Sequence, residues 1–166
     1  MSKEKEDTPS KKLKTQKSEI VSIRLEPKLR YLAEIAARKH RRTLSSYIEW
    51  AIAKSLANVV FDSDPDAEQL TVADLADELW DVDEPDRFVA LAFRFPDLLT
   101  HDEQVLWKLI RESNAFWLGH HKPGAFKWTV APNSIVIDRV RTYWDVLQDV
   151  ANGRRPKTDL PQGEAT

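Results

Sequence analysis

The sequence predicts a mainly α-helical protein in which one short strand and two helices fill the first sixty residues and a mostly helical second domain follows. Three observations carry this. Val21, Ile23 and Leu25 alternate with polar residues, a period of two that belongs to a strand. Six later stretches place apolar residues at helical spacing. The charge also reverses along the chain: residues 1–60 carry 14 Lys and Arg against 7 Asp and Glu, net +7, while residues 61–166 carry 11 against 20, net −9. The overall charge of −2 is therefore a cancellation between two modules of different character.

Five segments follow. Residues 1–18 are polar and Lys-rich without apolar periodicity, so they predict a flexible basic arm. Residues 19–58 hold the strand and two helices. Pro27, tolerated in a first helical turn, opens a helix through His40 with Leu29, Leu32, Ala33, Ala36 and Ala37 on one face. Thr43 is a good N-cap for a second helix marked by Leu44, Ile48, Ile52 and Leu56. Residues 59–69 are acidic, contain Pro65 and read as a linker.

Residues 70–151 form the second domain. Thr71 with Asp74 caps a helix over Val72–Val82, and Asp86–Phe95 makes a shorter one ended by Pro96. Thr100 and Glu103 have capping-box spacing, with Val105, Leu106, Leu109 and Ile110 following. Ser134–Ala151 is a long helix ended by Asn152 and Gly153, and Phe126–Val130 a short strand within a loop or hairpin. Five of the six Trp lie here, which argues for a packed domain; Trp117 and Trp128, in the loop, are the two that could line a pocket or partner surface instead. Residues 152–166, with two Gly and two Pro, read as a flexible tail.

Composition excludes much chemistry. With no Cys there is no disulfide framework, thiolate zinc site, iron–sulfur cluster or cysteine nucleophile. The longest apolar run, Phe88–Phe93, is too short to span a bilayer, and Met1–Ser10 is too polar for a signal peptide, so a cytoplasmic protein without membrane contact is expected. Gly-rich phosphate loops and nucleophile elbows are missing. His120 and His121 are adjacent on a loop, a spacing that fixes no coordination geometry. The expectation is a protein that is not an enzyme and uses no metal or cofactor.

One strand with three apolar residues cannot be stable alone. A homodimer solves this by pairing Val21–Leu25 with its copy about a two-fold axis, which leaves Ser22 and Arg24 on the opposite face. The segment Ile20-Val21-Ser22-Ile23-Arg24-Leu25, Pro27, the helix through Ala37 and Arg42-Thr43-Leu44-Ser45-Ser46-Tyr47-Ile48 resemble the ribbon-helix-helix repressors of the Arc and methionine-repressor type. That resemblance implies a dimeric β-ribbon reading the major groove of double-stranded DNA, with Ile20, Ser22 and Arg24 at the base-reading positions. Ile20, being apolar, either touches a thymine methyl or reads nothing. It also implies a phosphate held at the start of the second helix by the backbone of Leu44 and Ser45, with Thr43 as cap. Arg41 and Arg42 join this phosphate-contacting set from the turn. Family members commonly have Gly in this turn; here Arg41 takes its place.

The resulting expectation is a sequence-specific prokaryotic DNA-binding regulator, a nucleoid-associated repressor that acts as a homodimer. Its alternatives are an antitoxin whose acidic half binds a toxin, or a plasmid-maintenance or DNA-transfer accessory protein. The acidic half is expected to take a protein partner, join dimers or receive a signal.

Overall fold

A computed structural model describes residues 20–61, 69–122 and 125–162, and all side chains among these except those of residues 120–122, 125 and 126. The expected basic arm and most of the acidic linker lie outside the described residues. The chain divides into two compact units at Trp50/Ala51, within the second helix and before the linker where a boundary was expected.

The first unit holds α1, Pro27–Lys39, and most of α2, Leu44–Leu56. Both helices begin where the sequence places them. Pro27 supplies the first-turn φ of α1, and the Thr43 hydroxyl accepts the Ser46 N–H at 3.2 Å to cap α2. The expected amino-terminal β-ribbon is not present: residues 20–26 form no strand. A strand is defined by ladder hydrogen bonds, and the single chain offers no second strand at that end. The only sheet among the described residues lies in the second unit. It is an antiparallel hairpin of β1, Gly119–Lys122, and β2, Ala125–Trp128, paired Gly119 to Trp128 and His120 to Lys127.

The second unit is built from α3 (Ala76–Leu79), α4 (Glu84–Arg94), α5 (His101–Glu112), α6 (Ile137–Thr142) and α7 (Trp144–Ala151). α5 packs on α7, and α4 packs on α6. The capping box expected at Thr100 and Glu103 forms in full. The core joins Phe88, Val89 and Ala92 of α4 to Leu106, Trp107 and Ile110 of α5 and to Leu147 and Val150 of α7. Phe116 sits fully buried among them. Trp107 organises the aromatic centre, with Phe93 edge-on at 5.0 Å and Phe88 and Trp117 each at 6.1 Å.

Two helices are shorter than their sequence patterns, for one physical reason. The backbone at each expected start is already committed to a partner distant in sequence. Val60 bridges Thr71, with Phe61 N–H donating to Leu70 and Val72 N–H to Val59, so α3 begins only at Ala76. Phe61 is fixed further by stacking on Phe95 at 4.2 Å, so the linker's first residues are structured. Likewise Trp117 bridges Ile135, with Leu118 N–H donating to Ser134 and Val136 N–H to Phe116. The expected helix from Ser134 therefore starts at Ile137, and it breaks at Tyr143.

The tail departs from expectation through residue 162. Leu160 is buried and joins the core, and Asp149 pairs with both Arg154 and Arg155. Trp117 is a core residue too: it is 2% exposed and its indole Nε1 donates to the Ile110 carbonyl at 2.8 Å. Trp128 is half-buried and its indole donates to Arg111 O at 3.2 Å. No helix among the described residues is long and apolar enough to cross a membrane.

Candidate nucleic-acid interface

The basic residues that end α1 lead directly into the turn. Arg38 and Lys39 occupy the last turn of α1, where cations suit the negative end of the helix dipole. Arg41 N–H then donates to Arg38 O at 3.0 Å and Arg42 N–H to Ala37 O at 2.9 Å. These two bonds are the Schellman closure of a helix, and it requires a left-handed residue between them. Arg41 takes that conformation, at φ 54°. The Gly expected by resemblance is therefore replaced by an arginine in the glycine conformation, which costs about 1 kcal/mol.

An aromatic cluster holds the turn against α2. The His40 ring lies 5.2 Å from Trp50 and 5.9 Å from Tyr47, and Tyr47 and Trp50 are 5.6 Å apart. The Arg42 guanidinium rests 5.3 Å above the Trp50 ring. This contact supports Arg42 as part of the turn's scaffold. The cluster was not singled out in the sequence, although Tyr47 and Trp50 are three apart on one helix and thus share a face. Among the described residues, neither Lys39 nor Arg41 pairs with a carboxylate, whereas Arg30 and Arg38 both reach Glu34.

Beside this turn, α2 begins. Its first-turn N–H groups have no acceptor within the helix; Thr43 caps that of Ser46, which leaves those of Leu44 and Ser45 directed toward the surface the turn occupies. Exposed Arg41 and Arg42 in the turn and the positive end of α2 thus lie together, an arrangement suited to an anion. Ser22 and Arg24 are both exposed on the segment before α1, as is Ile20 at 98%. From Ile20 to Trp50 the chain carries seven Lys and Arg against three Glu.

Apolar exposure is the other mark of this unit. Ala37 is its one buried residue among those described, while Val21, Ile23, Leu29, Leu32 and Ile35 are exposed, Leu29 and Leu32 at 53% and 52%. The apolar stripe of α1 is therefore formed and covered only in part: Ala37 is buried and Ala33 and Ala36 half-buried, while Leu29 and Leu32 stay exposed.

No family model, curated protein or solved structure matches the chain.

Proposed function

We propose that this chain is a homodimeric DNA-binding protein that regulates transcription, acting as a repressor. The observation that carries the reading is the basic turn with Arg41 held at positive φ beside the capped start of α2. Strain at a charged position that glycine would relieve is what a functional contact would maintain. Arg41, Arg42 and the backbone of Thr43, Leu44 and Ser45 then hold phosphate, which positions the protein without reading sequence. Base reading falls to Arg24, which can bond guanine in bidentate fashion, with Ser22 and Ile20 beside it.

Dimerisation is supported by the exposed apolar side chains of α1. Two exposed leucines and an isoleucine on one helix face are costly in water, and pairing two copies would remove them from it. A homodimer also fits a two-fold-symmetric operator. An antitoxin or a plasmid-maintenance protein would use the same DNA contact, and co-purification of a small basic protein would favour the antitoxin.

Selection of bound duplexes from a random pool tests the reading. A palindromic winner, bound by the wild type and lost by Arg24→Ala while circular dichroism is unchanged, is the expected result. Equal affinity of both proteins for the winner removes Arg24 from the interface, and absence of any enriched duplex removes the function.

A further inference from the structure

The second unit carries two exposed surfaces of opposite charge, each with an apolar side chain among the charges. One is the loop of residues 80–83 between α3 and α4. Arg87 braces it: the guanidinium donates to the carbonyls of Asp81 and Val82 at 2.6 and 3.1 Å and lies 4.7 Å over the Trp80 ring. The Asp83 N–H also donates to the Asp81 carboxylate at 2.8 Å. Trp80 is nevertheless 56% exposed, and Val82 is exposed beside it. The other surface lies where the hairpin meets the end of α5. The Trp128 indole donates to Arg111 O, which brings the Lys127 position to the end of α5, and Leu118, 61% exposed, stands just before β1. We propose that the second units of different copies of this chain associate head to tail, the loop 80–83 of one copy docking on the edge formed by Arg111 and Lys127 of the next.

Charge complementarity commits the occupant to a second copy. Among the described residues no cation pairs with Asp81 or Asp83 and no carboxylate with Arg111 or Lys127, and all four are exposed. The ion pairs around them are closed: Glu78 with Arg94, Asp86 with Arg141, and Lys108 with Glu112. The sequence separates the two signs. From Ser55 through Asp86 it contains eleven Asp and Glu and no Lys, Arg or His, whereas residues 113–137 hold Lys122 and Lys127 and no Asp or Glu. A basic protein would satisfy only the loop and a nucleic acid only the edge; a second copy satisfies both. The whole chain carries only −2, so net charge does little to hold copies apart. Trp80 and Leu118 add apolar area to the contact, and a loop already braced by Arg87 loses little freedom on docking. Because loop and edge are different surfaces, the contact is heterologous: each docked copy leaves a further loop or edge free, and the assembly grows. The inference is independent of DNA binding by the first unit.

The test is sedimentation of the full chain. At low salt the mean mass is expected to keep rising with concentration, and at about 1 M salt, where the Debye length falls to about 3 Å, to return to one small species. Reversing the loop (Asp81→Lys with Asp83→Lys) or the edge (Arg111→Glu with Lys127→Glu) is expected to abolish the growth. Mixing the two variant proteins is expected to restore it, because the intact edge of the first meets the intact loop of the second. Trp80→Ala is expected to weaken association about tenfold. Folding of each variant is checked by circular dichroism. A wild type of fixed mass at low salt, a closed dimer without larger species, growth unchanged in any folded variant, or a mixture that fails to regain it overturns the proposal. Amide shifts at Arg111 and Lys127 that arise only with an added DNA duplex would assign the edge to nucleic acid and overturn it as well.

Discussion

The guanidinium of Arg141 in α6 donates to both carboxylate oxygens of Asp86 in α4, at 2.8 and 2.6 Å, across 55 residues of sequence. It is a two-pronged clasp between two helices that pack on each other. Bidentate geometry makes it stronger than an ordinary surface pair, and Asp86 holds Arg141 protonated well beyond the usual arginine range, with Asp138 adding to this and partial burial opposing it. Because Arg141 is 40% exposed, solvent screens much of that strength.

Asp86→Ala is therefore expected to destabilise the second unit by about 1 kcal/mol. Urea unfolding of Asp86→Ala, Arg141→Met and the double variant isolates the coupling. Additive effects of the two substitutions would show that the clasp contributes nothing beyond its separate side chains.

Trp117 and Trp144 offer a matched comparison. Both are buried, but the Trp117 indole donates to Ile110 O, whereas the Trp144 Nε1 has no partner among the described residues. Replacement by Phe removes similar volume at each, yet only Trp117→Phe loses an indole hydrogen bond, leaving the Ile110 carbonyl with the Ser113 N–H alone at 3.3 Å. Trp117→Phe should cost about 1 kcal/mol more than Trp144→Phe in chemical denaturation. Equal costs would assign both effects to packing.

Arg41→Gly should stabilise the first unit by about 1 kcal/mol, since it removes a side chain from the left-handed region and keeps both closing hydrogen bonds. The same substitution should weaken DNA binding and reduce the salt slope by about one ion, while Arg41→Lys retains the slope. Thermal melting and binding titrations at several salt concentrations read the two effects separately. A stabilised Arg41→Gly protein with unchanged DNA affinity would make the strain incidental.

Asp74 supplies a pH prediction. The Thr71 side-chain hydroxyl donates to its carboxylate at 2.6 Å and the Thr71 backbone N–H at 2.9 Å, which lowers its pKa below 3.8. A lowered folded-state pKa means that the stabilisation is present above 3.8 and is lost as pH falls through the folded value. Asp74→Asn should be less stable than wild type at neutral pH, with the difference closing in acid. A difference that stays constant between neutral and acid pH would show that the charge is not what Thr71 recognises.

Much of the helical layout follows from local signals. Pro27, Thr43 and Thr100 mark helix starts because N-terminal dihedrals and caps are decided within one turn of chain. The absence of Gly at position 41 instead suggested a turn built differently, whereas Arg41 itself adopts the left-handed conformation. The docked tail was not legible, since Leu160 stands alone between Pro156 and Pro161 without a period to betray it. The open cleft between α4 and the segment that leads into α6 was equally hidden, because Phe93 and Ile135, which line it, belong to segments with no shared pattern.

Sequence alone determined where α1, α2 and α5 begin by cap and period, the opposite charge of the two halves, and the basic character of the α1–α2 turn. Tertiary structure decided where α3 and α6 begin, what Trp117 does, and that residues 20–26 stand without a strand partner. The division has a physical origin. Caps and helical periods are satisfied by neighbours within a few residues, whereas a backbone N–H or indole bonds whichever acceptor the folded chain brings to it, as Val136 does with Phe116 and Trp117 with Ile110.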